Sequence, residues 1–179
     1  MWIFSFIAFL LLSGFLLTAV MRYGVPDTVS GTYYQIREHG GVAGAFTAVM
    51  LMAACVMLMC MLDTERGVQC LAFLGCAGLC LVGVNPNYCD SDARAIHKGG
   101  AALSAVGCVG WCASVSVLPT ACVATVYGMY LLLCKHEESM LCTIEDSTRI
   151  IRSHHPWYWA EVAGFADVFI TYWTYWLCV

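Results

Sequence analysis

The sequence predicts an all-α protein, a polytopic membrane bundle of six transmembrane helices in a single domain, 1–179. Composition is the first reason. The 179 residues are 61% hydrophobic and 11% charged, with a mean hydropathy of +0.76. Soluble domains average about 45–50% apolar and about 25% charged residues. A chain this short keeps much of its surface exposed, so a soluble core does not bury that much apolar area. The second reason is length: six apolar stretches approach or exceed the roughly 17–20 residues that cross a bilayer. The third is the backbone. In lipid every amide must be paired within its own segment, which a helix achieves and a lone strand does not.

The first span is Met1–Met21, with no charged residue. It has no basic leader and no small-residue cleavage pattern before Arg22, so it reads as a retained span rather than a removed signal. The second is about Gly41–Leu62. The third, about Val68–Val84, is ended by Asn85-Pro86, because proline cannot continue the hydrogen-bond ladder. The fourth is about Lys98–Val117 and the fifth about Leu118–Cys134, with Leu118-Pro119-Thr120 forming a tight antiparallel hairpin between them. The sixth, Trp157–Val179, begins behind Pro156, a residue suited to a first helical turn. Glycines on these segments let helices approach closely. Aromatic residues at both ends of the sixth suit the two membrane interfaces.

The loops at Arg22–Gly40, Asn85–His97 and Lys135–Pro156 are polar and, with six spans, share one side. That side carries all but Arg66 of the eight Lys and Arg residues. The positive-inside rule then places these loops in the cytoplasm and both termini outside. The net charge of −4 and the lack of a basic tract argue against nucleic acid as a partner. The twelve cysteines lie mostly in apolar runs and form no CxxC pair, so they read as free packing thiols. Neither a cysteine-based metal centre nor any other cofactor is expected.

A few polar residues stand out against this background. Asp167 lies about 16 Å into the last span at about 1.5 Å per residue, near the midplane. It belongs to a stripe with Ala160, Gly164, Thr171, Thr174 and Cys178, which should face the bundle interior, while Phe165, Phe169 and Trp173 cover other directions. An intramembrane carboxylate is costly unless protonated, paired or hydrated. It is either a proton or ligand site or a neutral hydrogen-bonding group between helices. Glu161, a turn inside the same helix, is placed to reach the interface. The third loop gathers Asn87, Asp90, Asp92 and His97, a set suited to capping the next helix or to forming a site. His97 begins a face that continues through Ala101, Ser104, Cys108 and Trp111. In the last loop His136, Glu137, Glu138, Glu145, Asp146, His154 and His155 lack ligand spacing. They read as a solvated loop with a short surface helix around Thr143–Ile151.

The segments Thr28-Val-Ser-Gly-Thr-Tyr-Tyr, Leu71-Ala-Phe-Leu-Gly-Cys-Ala-Gly, Val82-Gly-Val-Asn-Pro-Asn and Ile96-His97 ahead of Gly99-Gly-Ala-Ala resemble those of small, uncharacterised six-helix membrane proteins of bacteria and phages. A serine in the first loop, a proline after the third helix and a histidine opening the fourth are remotely similar to the Frag/DRAM-type superfamily. The resemblance implies a six-helix fold and no particular reaction. It points to Ser30, Asn87 and His97 as positions sharing a site.

Together these readings give an expectation of a non-enzymatic protein of the bacterial inner membrane. Its polar pocket would open on the loop-rich face and draw on Ser30, Tyr33, Asn87, Asp90, His97, Glu161 and Asp167. The ligand would be a lipid headgroup, a small solute or a membrane protein partner, including a second copy. Two alternatives belong to other classes. One is a metal-dependent lipid hydrolase with His97 and Asp90 or Asp92 holding the ion. The other is a proton-coupled transporter resting on Asp167, although no span shows the mid-helix break common at carrier sites. The first loop, with Tyr33 and Tyr34, should fold over the bundle's mouth and bring Ser30 or Tyr33 to Asn87 or His97.

Overall fold

The structure, a computed structural model, describes residues 2–86, 91–139 and 154–178. All regular structure among them is helical: α1 (Trp2–Tyr23), α2 (Gly31–Glu38), α3 (Gly44–Asp63), α4 (Gln69–Val84), α5 (Ser91–Val115), α6 (Val117–Ser139) and α7 (Pro156–Cys178). By length and composition, three of these can cross a membrane: Trp2–Tyr23, Gly44–Asp63 and Val117–Lys135. The chain is therefore a helical membrane protein. The other long helices differ for legible reasons. With 16 residues, α4 spans about 24 Å. Glycine, alanine and Arg94 and Lys98 dilute α5. The apolar character of α7 is interrupted by Glu161, Asp167 and its tyrosines and tryptophans.

The pattern on α1 shows how the sequence partitions its surface. Ser5, Ala8, Leu12, Leu16 and Ala19 recur at steps of three and four and are buried. Ile3, Phe4, Phe6, Ile7, Leu10, Leu11 and Leu17 on the remaining faces are exposed. A helix that is hydrophobic all round, yet buried along one stripe only, is built for an apolar solvent.

Two sets of contacts define the ends of the bundle. At one end lie the C-termini of α1, α4 and α6, the N-termini of α3, α5 and α7, and the whole of α2. Tyr23 packs at a tilt against His39, Tyr33 packs edge-on to Phe46, and His155 lies 3.2 Å from Asp27. The Tyr130 and Tyr127 hydroxyls donate to the carbonyls of His154 and Pro156. At the other end Tyr172 donates to Asp63 (2.8 Å), Trp173 Nε1 donates to Ser5 Oγ (3.1 Å), and the Val68 N–H donates to Ser114 Oγ (2.9 Å).

The closest helix pair is α4 with α5. A Cβ on Gly107 would stand 2.4 Å from the Gly75 nitrogen, and one on Gly78 would stand 2.4 Å from the Ser104 nitrogen. These backbones touch, as small residues allow in membrane bundles. The core of Phe46, Met50, Met57 and Met61 on α3 packs against Cys76 and Leu79 of α4, Trp111 and Cys112 of α5, and Val168 and Phe169 of α7.

Several expected boundaries and faces shift. The fourth helix begins at Ser91 rather than Lys98, so Ser91–His97 is helix rather than loop. Serine and aspartate are common at helix starts, so a polar composition is compatible with helix here. The turn between the fourth and fifth helices is Ser116 alone, and Pro119 sits in the first turn of α6, where its missing N–H costs nothing. The first loop contains α2. Phe169 is buried, in an edge-to-face contact with Phe9, so α7 is covered by α1 as well as by α5 and α6. Tyr172 is also buried, and Trp173 is bonded to Ser5, so neither serves as a plain interfacial ring. The expected surface helix at Thr143–Ile151 lies outside the described residues.

Candidate functional site

A cavity of about 350 Å³ lies between α3, α4, α5 and α7, beneath the segment that leads into α2. Its walls are Met50 and Met57 from α3, Leu79 and Val82 from α4, Ala101, Ala105, Cys108 and Val109 from α5, and Ala160, Gly164 and Phe165 from α7. Val29, Ser30, Ser104, Trp157 and Glu161 complete the lining. Its polar groups are few. Ser30 and Glu161 mark the end near α2, while Met57, Cys108, Val109 and Phe165 lie further along their helices. Trp157 and Val109 are exposed, so the gap between α5 and α7 carries apolar side chains outward on both rims.

Glu161 builds the roof. Its Oε2 accepts the Val29 N–H at 2.8 Å, and the Ser30 backbone N–H lies beside the same carboxyl group. Ser30 is the N-cap residue of α2, and no side-chain cap bond is formed by its own hydroxyl. A helix start leaves four amides without intrahelical partners. Here a carboxyl group from a distant part of the chain lies beside the start of α2 and accepts the Val29 amide just ahead of it. Anionic groups are favoured at that pole of a helix. The first loop is thereby ordered against the bundle, with Val29, Ser30 and Thr32 buried.

The other singled-out residues occupy different places. His97 is buried, and its Nδ1 is 2.7 Å from the Asn85 carbonyl. A carbonyl only accepts, so Nδ1 carries the proton in that bond. His97 thus satisfies the last backbone acceptor region of α4, where Pro86 stops the helix. Tyr33 packs edge-on to Tyr34 and Phe46. Asp167 is buried between three helices. Its Oδ1 accepts from Thr120 of α6 (3.3 Å) and from Thr171 (3.4 Å), and the Cys112 thiol of α5 lies beside the carboxyl group. Asp167 is one helical turn beyond Gly164, and Cys112 one turn beyond Cys108, so this cluster lies under the deep end of the cavity. Asn87 and Asp90, and the side chain of Asp92, lie outside the described residues. Among the described residues no group of three or more His, Cys, Asp or Glu is gathered as for a metal ion. The ten cysteines among them are free thiols.

Of the seven singled-out residues, the structure brings Ser30 and Glu161 together at the cavity. The α5 wall, with Ala101, Ala105 and Val109, was not singled out from the sequence as a site. Its trace there is a run of small residues at helical spacing, facing Ala160 and Gly164 on α7. Comparison of the chain with protein-family models, curated proteins and solved structures finds no match.

Proposed function

We propose that this is a six-span protein of the bacterial inner membrane, of the small six-helix type its motifs resemble, and that it binds a membrane lipid in the cavity between α3, α4, α5 and α7. The observation that carries the reading is the cavity's polarity: an apolar interior with its serine and carboxylate groups near α2. Support for six spans comes from the outer surface. Phe73, Leu74, Leu81 and Val84 on α4, Val106 and Val109 on α5, and Ile170, Trp176 and Leu177 on α7 are exposed. Apolar surface on that scale is an aggregation hazard in water and ordinary in lipid.

Binding suits the lining better than catalysis does. The described lining residues offer Ser30 and Ser104 hydroxyls without a histidine or lysine beside them to act as base. Proton-coupled transport would rest on Asp167, whose carboxyl group is occupied by Thr120 and Thr171. The test is lipid retention. Protein purified in mild detergent should carry phospholipid detectable by extraction and mass spectrometry. Ala105→Trp, which fills the cavity, should remove it while helical content is kept. Equal lipid in both proteins would contradict the proposal.

A further inference from the structure

The class of lipid follows from the charges around the opening, on the assumption that the proposed lipid-binding reading holds. We infer that the site selects a zwitterionic phospholipid with a primary ammonium head, one acyl chain entering sideways between α5 and α7.

The sideways path comes from the rims. Trp157 is 71% exposed and Val109 40% exposed, yet both line the cavity. A lining side chain that is also exposed marks an opening, and these lie on α7 and α5. An acyl chain gains little hydrophobic energy on leaving lipid for such a cavity, because lipid tails are as apolar as the wall. Selection therefore has to come from the head.

Two charges are placed to make it. Glu161 lines the cavity end nearest α2, and its bond to the Val29 amide uses only part of the acceptor capacity of a carboxylate. An ammonium group carries three donors and fits the remaining positions. Lys98 is exposed and stands one turn towards the N-terminus of α5 from Ala101, on the face that continues through Ala105 and Val109. Its ammonium can rise to the phosphate level while its stem lies along the apolar wall. The Glu161 carboxyl group, held ionised by a bound ammonium, and a cation at Lys98 would complement the ammonium and the phosphate of one headgroup. A head with a phosphate alone would meet Glu161 uncompensated. A quaternary ammonium would keep the charge but supply no N–H.

Native mass spectrometry of the detergent-solubilised protein, titrated with phosphatidylethanolamine, phosphatidylglycerol and phosphatidylcholine of identical chains, tests this. Phosphatidylethanolamine should bind at least about tenfold tighter than the other two, the ratio that one charge-assisted hydrogen bond supplies. Glu161→Gln, which keeps an oxygen for the Val29 amide, should erase that preference. Lys98→Ala should weaken both phosphatidylethanolamine and phosphatidylglycerol. Equal binding of the three lipids by the unaltered protein, or an unchanged preference in Glu161→Gln, overturns the inference. Ala105→Leu and Ala105→Trp separate the two levels. If they block all three lipids while no head preference exists, only the headgroup assignment fails. If they block none, the lipid cavity itself fails.

Discussion

Replacing Glu161 by alanine removes the long-range tether of the start of α2 and leaves only a local bond, from the Gly31 N–H to the Thr28 hydroxyl. The Val29 amide loses its carboxyl acceptor. A hydrogen bond to a charged group contributes about 1.5–3 kcal/mol. Glu161 is partly exposed, so the lower end applies, about 1.5 kcal/mol. An eight-residue helix has almost no stability of its own, so the loss falls on α2 rather than on the bundle. About 1.5 kcal/mol corresponds to roughly a tenfold loss of protection against amide exchange. Hydrogen–deuterium exchange with mass spectrometry, on peptides covering Val25–Glu38, reads this directly. Glu161→Gln keeps one oxygen for the Val29 amide and should lose less. Peptides from α1 and α3 should exchange as before. Protection of α2 unchanged in Glu161→Ala would refute the tether, as would a uniform loss across all helices.

Further outcomes follow from the same geometry. Asp167→Leu strands the hydroxyls of Thr120 and Thr171 and should destabilise the bundle by about 2–4 kcal/mol, while Asp167→Asn keeps an acceptor and should cost far less. Thermal unfolding in detergent that ranks the two equally would remove Asp167 from its packing role. Gly107→Ala places a Cβ 2.4 Å from the Gly75 nitrogen, so it should lower the melting temperature, whereas Gly99→Ala meets nothing within 4 Å and should not. Similar melting curves for both would contradict the α4–α5 contact. With six spans, topology reporters inserted at Arg66 and after the C-terminus should respond alike, and oppositely to reporters at Gln35 and His154. A C-terminal reporter that sides with Gln35 would leave an even number of crossings after α2, against the five that six spans require.

Much of the helical frame was legible because apolar runs of span length have few other solutions in lipid. The segment Val68–Val84 ended at Asn85-Pro86 as read, since proline fixes a helix end by covalent geometry. Polar positions were harder to assign. Ser91–His97 looked like loop by composition, but polar residues also open helices, and composition alone does not separate the two. His97 bonds the Asn85 carbonyl, a backbone partner that no side-chain pattern announces. The cavity was hidden for a related reason. Small residues on facing helices have two outcomes. At Gly75 and Gly107 they bring backbones into contact, and at Ala101, Ala105, Ala160 and Gly164 they leave space. Which one occurs depends on the neighbouring helices and on α2 above, and local sequence carries no record of either. Glu161 stands in the sequence as a carboxylate one turn inside its helix, but its partner Val29 is 132 residues away in the chain.

A photoreactive side chain at position 105, compared with one at position 106, tests lipid occupancy of the cavity most directly. Ala105 lines the cavity, and its neighbour Val106 is 70% exposed on the outer surface. Irradiation in native membranes should give lipid adducts at both positions, since both meet acyl chains. After extensive detergent exchange before irradiation, position 105 should still yield an intact phospholipid adduct, and position 106 should yield detergent. Equal loss of phospholipid adducts at the two positions would mean that the cavity holds no lipid of its own.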